Sequence, residues 1–531
     1  MHAGNPDTIE LALDGRNLKP ESLWRIAKTA LDPRTTWAID FSADATERMQ
    51  ASAETVAKLV RSGRSAYGIN TGFGHFAERR IPAYQLERLQ SNLIRSHGCG
   101  VGQEVARDLV LALWLLRLST LSRGFSGIRP RILGFFLALL RAGVLGCVPS
   151  RGSVGASGDL CPSAHAVLPI LGEGICTRPN ARREGFDRLP AAEILADLGL
   201  EPLPLGPKEG LALINGTQYT TALALKAWYE GRQLLNIANL AAAMSMEAMG
   251  AQSVLEEAVL RTHHPQTLAV GREMAAWLEG KSKGIAEDMR FLQAPYCLRC
   301  APQVHGAVLL AIETGEATLT AELDAIGDNP LIFADGNAGE VDSCGNFHAT
   351  YPARVSDSLA TALTTLGSMS ERRITMAMDE RIALFPDRRR RAQQRPHDGA
   401  SRGGQPRGRM PQPMHAGQHR FHSHQLQSGK PRADGSCCGA QGVASRRQVR
   451  NILAIELLAA AQALDLRRDF VMPPRLAAIH RKIRKQVPPL HEDRVLAPDL
   501  AAIHRMLEDP SFLDCKPAVP IPLQSFNGSC P

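Results

Sequence analysis

No apolar run in the 531-residue sequence is long enough to cross a membrane. The longest, Ile132 to Leu140, is closed off by Arg131 and Arg141 and falls well short of the roughly 18–20 residues a span requires. No membrane span is expected. Met1 to Thr8 is polar and has neither a basic start nor an apolar core, so no secretory leader is expected and the cytoplasm is the default compartment. Eleven cysteines, with one adjacent pair at Cys437 and Cys438, form no repeating framework. In a reducing compartment they stay thiols, and no structural disulfide is expected. Runs of β-type alternation are scarce, and no repeat of solenoid period is visible. With 44% hydrophobic and 21% charged residues, the composition excludes a disordered, collagen-like or disulfide-scaffold chain. The length allows about three domains or one unusually large one.

What the sequence does have is helical periodicity. Apolar residues recur at three- and four-residue spacing through Leu86 to Ser96, Val105 to Leu121, Ile132 to Leu145 and Ala222 to Met249, which predicts long amphipathic or buried helices. Leu240 to Met249 and Ile452 to Leu466 are rich in alanine, combining high helix propensity with little bulk, as close packing of long helices requires. The expected fold is mainly α: a large long-helix bundle with a smaller N-terminal region. Glycine-rich turns lie between the helices at Tyr67 to Gly74 and Gly152 to Gly158, where chemistry tends to reside.

The charge is unevenly spread. The net charge is +8, yet Arg388 to Arg450 holds 13 Arg and one Lys against Asp398 and Asp434, or +12, which leaves the remainder at 8 − 12 = −4. Apolar periodicity nearly vanishes from Arg388 to Gln448, with Met410, Met414, Phe421, Leu426 and Val443 almost the whole apolar content. Such a segment should not fold alone. As a nucleic-acid arm it offers one aromatic, Phe421, to stack on a base. As a metal site, His422, His424, Cys437 and Cys438 are suitable ligand types at a spacing that matches no standard zinc pattern. Neither a nucleic-acid partner nor a metal is expected.

The most informative run is Arg151-Gly-Ser-Val-Gly-Ala-Ser-Gly-Asp-Leu160. Alone, Ala156, Ser157 and Gly158 read as a tight turn or helix entry with Ser157 as cap. Four further motifs follow an ordered course at wide separation: Tyr67-Gly-Ile-Asn-Thr-Gly-Phe-Gly74, Leu211-Ala-Leu-Ile-Asn-Gly-Thr-Gln218, Tyr296-Cys-Leu-Arg-Cys-Ala-Pro-Gln303 and Gly345-Asn-Phe-His348. Together they resemble the histidine and aromatic amino-acid ammonia-lyase family across most of Tyr67 to Glu380 and again over Asn451 to Arg467.

That resemblance implies that Ala156, Ser157 and Gly158 condense into a methylidene-imidazolone, so that no external cofactor is needed. Attack of the Gly158 nitrogen on the Ala156 carbonyl requires a compressed backbone, which flanking glycines permit, and loss of water then turns Ser157 into an exocyclic alkene. An electrophile of this kind answers a chemical difficulty, because an α-amino group leaves poorly and the β-proton is barely acidic. By the same resemblance Tyr67 is the base for the β-proton. A phenol ordinarily ionises near about 10 and needs help from its surroundings to act at neutral pH. Arg299 would grip the substrate carboxylate with its planar fork. Asn215, Gln293 and Tyr296 resemble the polar residues that position the amino group, the carboxylate and the ring, and Phe347 would wall the pocket. Within Asn92-Leu-Ile-Arg-Ser-His97, His97 stands at the selectivity position of histidine-specific members, where an imidazole substrate wants a hydrogen-bonding partner. A homotetramer acting on a small amino acid is implied, with active sites drawn from several subunits.

The sequence departs from the family pattern in two places. Ala294 and Cys297 replace the Asp and Ser usual in Gln-Asp-x-Tyr-Ser-x-Arg-Cys, and after Arg373 the family's Gly-Leu-Asn-Ser-Gly and Asn-Gln-Glu runs are missing. Moving the reading frame forward by one base makes Arg391-Ala-Gln-Gln-Arg-Pro-His-Asp-Gly-Ala-Ser401 compatible with Gly-Leu-Asn-Ser-Gly-Leu-Met-Met-Ala-Gln-Val. The same shift makes Arg420-Phe-His-Ser-His-Gln-Leu-Gln-Ser-Gly-Lys-Pro-Arg432 compatible with Asp-Ser-Ile-Pro-Thr-Ser-Cys-Asn-Gln-Glu-Asn-His-Val. A frameshift near Pro386, compensated near Gln448, is the expectation, with Gly429 standing where the family has a functional glutamate. The expected layout is an N-terminal region at 1–209 with the electrophile loop, a central helical bundle at 210–386, a basic and disordered segment at 387–448, and a C-terminal helical region at 449–531.

Overall fold

The computed structural model describes residues 8–16, 18–280, 293–334, 340–378, 435–467 and 471–513, with the backbone alone at 252–253, 435–445 and 510–511. The fold is mainly α, as the periodicity predicts. Among the described residues the strands are short and gather into four small sheets. Thr8–Leu13 pairs in parallel with Thr36–Phe41. Val101–Glu104 pairs with Pro149–Arg151, Leu331–Ile332 pairs with Val341–Asp342, and Ile175–Pro179 lies between Leu145–Gly146 and Phe186–Pro190.

The helices follow from local chemistry. Arg107–Ser122 is apolar all round, and every residue from Asp108 to Ser122 is buried, the pattern of a helix enclosed by protein. Ala43–Ser62 begins where the Ser42 hydroxyl accepts from the Ala45 N–H, and ends at Gly63, whose φ of +72° closes the helix in the left-handed region. Leu86–His97 and Gln218–Met249 stand close to where the spacing puts them. The expected helix Ile132 to Leu145 is shorter and earlier, running Pro130–Arg141. Pro130 is suited to a first helical position, Gly143 takes a φ of +72°, and Leu145 enters a strand.

The described residues fall into two compact units. One draws on Met1–Tyr229, Gly315–Asp357 and Arg432–Ala440; the other draws on Glu230–Thr314, Ser358–Pro431 and Gln441–Pro531. In the first, the side chains of Trp24, Phe136 and Leu115 lie in the core, and Lys208 and Asp328, both fully buried, pair at 2.8 Å. In the second, Val449 and Ile452 pack against Gly367 so closely that an added Cβ would sit 3.3 and 3.4 Å from them. The helix Gly435–Asp465 supplies those two residues. It starts inside the stretch 387–448, of which 387–434 lies outside the described residues together with Gly429. Arg446 is buried and paired with Glu230 at 2.6 Å.

No helix of the described residues is long and apolar enough to cross a membrane. The seven cysteines whose side chains are described, Cys99, Cys147, Cys161, Cys176, Cys297, Cys300 and Cys344, are thiols.

Candidate active site

The glycine-rich run ahead of the helix Leu160–Val167 folds back on itself so tightly that the backbones of Ala156 and Gly158 pair with each other, and Gly158 pairs in turn with Gly216. Two glycines make this possible. Gly158 has a φ of +78°, and a Cβ there would lie 2.2 Å from the Gly216 carbonyl oxygen and 2.8 Å from that of Phe347. Gly216, at φ +137°, would carry a Cβ 2.1 Å from the Gly327 carbonyl oxygen. No side chain fits at either place. Ala156 is exposed, Ser157 half-buried and Gly158 buried.

Asn215, at the end of the helix Glu209–Ile214, turns its amide onto the triplet. Its Nδ2 donates to the Ser157 carbonyl at 2.9 Å and to the Ser157 hydroxyl at 2.8 Å. Its own Oδ1, although buried, has no hydrogen-bond partner among the described residues. Arg117 holds Asn215 from below: its fully buried guanidinium donates to the carbonyls of Asn215 and Ala212. Burial lowers the Arg117 pKa to about 10, with Asp328 and Asp159 acting in the opposite sense, so it remains a cation at neutral pH.

Asp159 ties the other end. Its N–H donates to the Gly216 carbonyl at 2.7 Å, and its carboxylate accepts from the Thr220 N–H at 2.8 Å and the Thr220 hydroxyl at 2.6 Å. Burial pushes the Asp159 carboxyl up to about 6, against the hydrogen bonds from Thr220, which favour the carboxylate.

Tyr67 belongs to a turn of the same unit. Asn70 organises that turn by accepting from the Ala66 N–H and donating to the Arg64 carbonyl, both at 2.8 Å. The half-buried Tyr67 ring meets Phe73 edge to face at 6.4 Å. Gln90, fully buried on the helix Leu86–His97, spans two of the motifs: it donates to the Gly68 carbonyl at 3.4 Å and accepts from the Leu211 N–H at 3.0 Å. His97 ends that helix half-buried, its Nδ1–H donating to the Leu93 carbonyl at 2.8 Å. In the neutral ring this fixes Nε2 as the acceptor.

Of the remaining expected residues, Phe347 is half-buried in the first unit, and Gln293, Tyr296 and Arg299 lie in the second. Gln293 and Tyr296 are exposed. The Arg299 guanidinium stands over the Tyr296 ring at 4.8 Å, and its buried Nε has no hydrogen-bond partner among the described residues. Behind them Arg373 reaches the Cys297 carbonyl at 3.4 Å while its Nε and Nη2 hold both oxygens of Glu456 at 2.5 and 3.0 Å. Ser245 and Ser370 donate to the same carboxylate at 2.8 and 2.5 Å. Arg373 and Glu456 are buried.

Residues 18–388 match the Aromatic amino acid lyase family. The chain belongs to that family. It is 37% identical over 462 residues to histidine ammonia-lyase of Salmonella arizonae, a match covering 85% of this chain and 88% of that protein. Among solved structures it is similar to histidine ammonia-lyase from Trypanosoma cruzi, with a TM-score of 0.78 and 32% identity, covering 96% of this chain and 95% of that one. It is also similar to tyrosine aminomutase from Streptomyces globisporus, with a TM-score of 0.77 and 28% identity over 96% and 98% of the two chains. By family the protein is a carbon–nitrogen lyase.

Family members carry a self-formed methylidene-imidazolone and use no external cofactor. The residues present fit that group. The doubled-back triplet, the two glycine positions closed to any Cβ and the Asn215 amide on Ser157 form a cradle of the right chemistry. Three members of its surroundings, Gln90, Arg117 and Asp159, went unread in the sequence, as did Glu456 in the second unit. Arg117 and Glu456 did leave a signal: each is a lone charge within an apolar helical run, in Leu115-Leu-Arg-Leu118 and Ala454-Ile-Glu-Leu457. Among the described residues no group of three or more His, Cys, Asp or Glu is arranged to hold a metal ion.

Proposed function

We propose that the protein eliminates ammonia from L-histidine to give urocanate, using a methylidene-imidazolone formed from Ala156, Ser157 and Gly158. The observation that carries this reading is the Asn215 amide on both Ser157 oxygens, with Gly158 seated against Gly216. The group supplies an electrophile that makes the amino group a competent leaving group. The chain's own residues do the rest. Tyr67 takes the proton from the β-carbon, and Arg299 pairs with the substrate carboxylate. Gln293 and Tyr296 orient the substrate, and Asn215 holds the ring, while Phe347 closes the pocket wall. His97, with Nε2 as acceptor, meets the N–H of the substrate imidazole; that contact is the basis for preferring histidine over phenylalanine or tyrosine. We infer a cytoplasmic homotetramer whose active sites draw residues from several subunits.

A second reading is favoured by the altered segment: this chain is an impaired member of the family because residues 387–448 are read out of frame. The family match ends at residue 388, two positions past Pro386, and the charge excess begins there. Gly429 then stands where a functional carboxylate is needed, and activity is lost or much reduced.

One experiment addresses both. Ammonia release and the organic product are followed with histidine, phenylalanine and tyrosine as substrates, urocanate being read by its absorbance with histidine, using this chain and a frame-restored version. Urocanate from histidine in the restored chain alone supports the lyase and the frameshift together. Turnover of phenylalanine or tyrosine in preference, or formation of a β-amino acid, replaces histidine elimination with another reaction of the family. Nucleotide sequence whose shifted frame does not encode the missing runs removes the frameshift.

A further inference from the structure

Two thiols meet beside the electrophile loop and have no part in the proposed reaction. Cys99 follows the helix that ends at His97, and Cys161 lies in the first turn of the helix Leu160–Val167 that leaves the triplet. The two thiols are neighbours, since a Cβ on Gly100, the residue after Cys99, would come within 3.2 Å of the Cys161 sulfur, and the Cys99 thiol adds to burial in raising the Cys161 pKa. Glycines flank the buried sulfur of Cys161 closely: a Cβ at Gly152 would lie 2.6 Å from it, and one at Gly100 3.2 Å. Their backbones are held in place, since the Gly100 N–H donates to His165 Nε2 at 2.9 Å and Val101 pairs with Arg151. Burial lowers the His165 pKa, which keeps its imidazole the neutral acceptor that this bond requires.

The two thiols differ in access. Cys99 is exposed, whereas Cys161 is 6% exposed. A small disulfide reaches the first and is shielded from the second. Burial also pushes the Cys161 thiol up to about 11, so at neutral pH it is a protonated thiol that does not begin exchange.

We propose that Cys99 and Cys161 are a thiol–disulfide exchange site for a low-molecular-weight disulfide of the glutathione type, Cys99 being the attacking thiol and Cys161 the resolving one. The Cys99 sulfur, having given up its proton, bonds to one sulfur of the disulfide, and the other half departs and takes up a proton. The Cys161 sulfur then bonds to Cys99, and the second half leaves as a thiol with the Cys161 proton. Two protein thiols are oxidised by two electrons, and one small disulfide is reduced to two thiols. The link fixes the segment between His97 and Val101 against the first turn after the electrophile loop.

The test uses the full chain with oxidised glutathione, followed by alkylation under denaturing conditions and peptide mapping. The unsubstituted chain is expected to yield the Cys99 and Cys161 peptides joined, two hydrogens lighter, with no glutathione retained. Cys161→Ala is expected to keep glutathione on Cys99, and Cys99→Ala to slow modification at Cys161 by at least about tenfold. Circular dichroism verifies that each variant is folded, and Cys161→Ser replaces the alanine variant if it is not. Glutathione persisting on Cys99 of the unsubstituted chain, Cys161 reacting as fast without Cys99, or no reaction at either thiol would each overturn the proposal.

Discussion

The Asn215 amide donates to both the carbonyl and the hydroxyl oxygen of Ser157, at 2.9 and 2.8 Å. One side chain thus restrains the backbone and the side chain of the residue that would lose its hydroxyl in the proposed ring formation. Because the Arg117 guanidinium grips the Asn215 carbonyl from behind, this donor is held ready before the reaction begins, and a preorganised donor acts without reorganisation at the moment charge develops.

Asn215→Ala removes that donor while leaving the helix before it intact. The expected loss in kcat/KM for histidine is about 10²–10³-fold, measured by urocanate absorbance in the frame-restored chain. The intact mass of the triplet distinguishes a failure of ring formation from a failure of turnover. A variant with unchanged kcat/KM would remove Asn215 from the site.

The two glycine environments predict opposite signs. Gly158→Ala places a Cβ 2.2 Å from the Gly216 carbonyl at a φ of +78°, so the turn must open. We expect loss of stability exceeding about 1 kcal/mol and a triplet that keeps its unreacted mass. Gly134, within the helix Pro130–Arg141, has no atom within 4 Å of a built Cβ. Gly134→Ala is expected to stabilise by about 0.5–1 kcal/mol. Urea midpoints of the two variants check both signs.

The helices were legible because burial imposes a three- to four-residue period on the chain, and the electrophile loop because glycine and small residues cluster where the backbone is compressed. Helix ends were less so. The helix Pro130–Arg141 stops at a glycine of positive φ, although apolar residues continue through Val144 and Leu145. Partners distant in the sequence were not readable. Gln90 joins Gly68 to Leu211, and Asp159 meets Thr220; neither pairing leaves a spacing signature, because the chain between is free to be any length. A lone charge in an apolar helix does announce that a partner exists, as with Arg117 and Glu456, but it does not say which residue the partner is.

Asp159 gives a pH prediction. Its carboxyl is raised from 3.8 to about 6 by burial, so the folded state binds the proton more tightly than the unfolded chain. The stabilisation is therefore full below pH 3.8 and disappears as pH rises through 6. Asp159→Asn lacks this term. Relative to that variant, the unsubstituted chain is expected to lose about 3 kcal/mol between pH 3.8 and pH 7, at about 1.4 kcal/mol per pKa unit. Urea midpoints across that range measure the difference, and parallel curves for the two proteins would contradict the burial argument.

Arg373 and Glu456 present the opposite case, a buried pair made whole by its neighbours. Both guanidinium nitrogens facing the carboxylate are engaged, and Ser245 and Ser370 occupy its remaining lone pairs. Removing one partner leaves an uncompensated charge, which costs about 3–5 kcal/mol, whereas removing both leaves none. Glu456→Ala and Arg373→Ala should each lower stability by that amount, and the double variant by clearly less than their sum. Arg373 also steadies the Cys297 carbonyl between Tyr296 and Arg299, so Arg373→Ala in the frame-restored chain should raise KM for histidine more than Glu456→Gln does. Urea denaturation gives the cycle, and additive losses would mean that the two side chains stabilise the helices independently of each other.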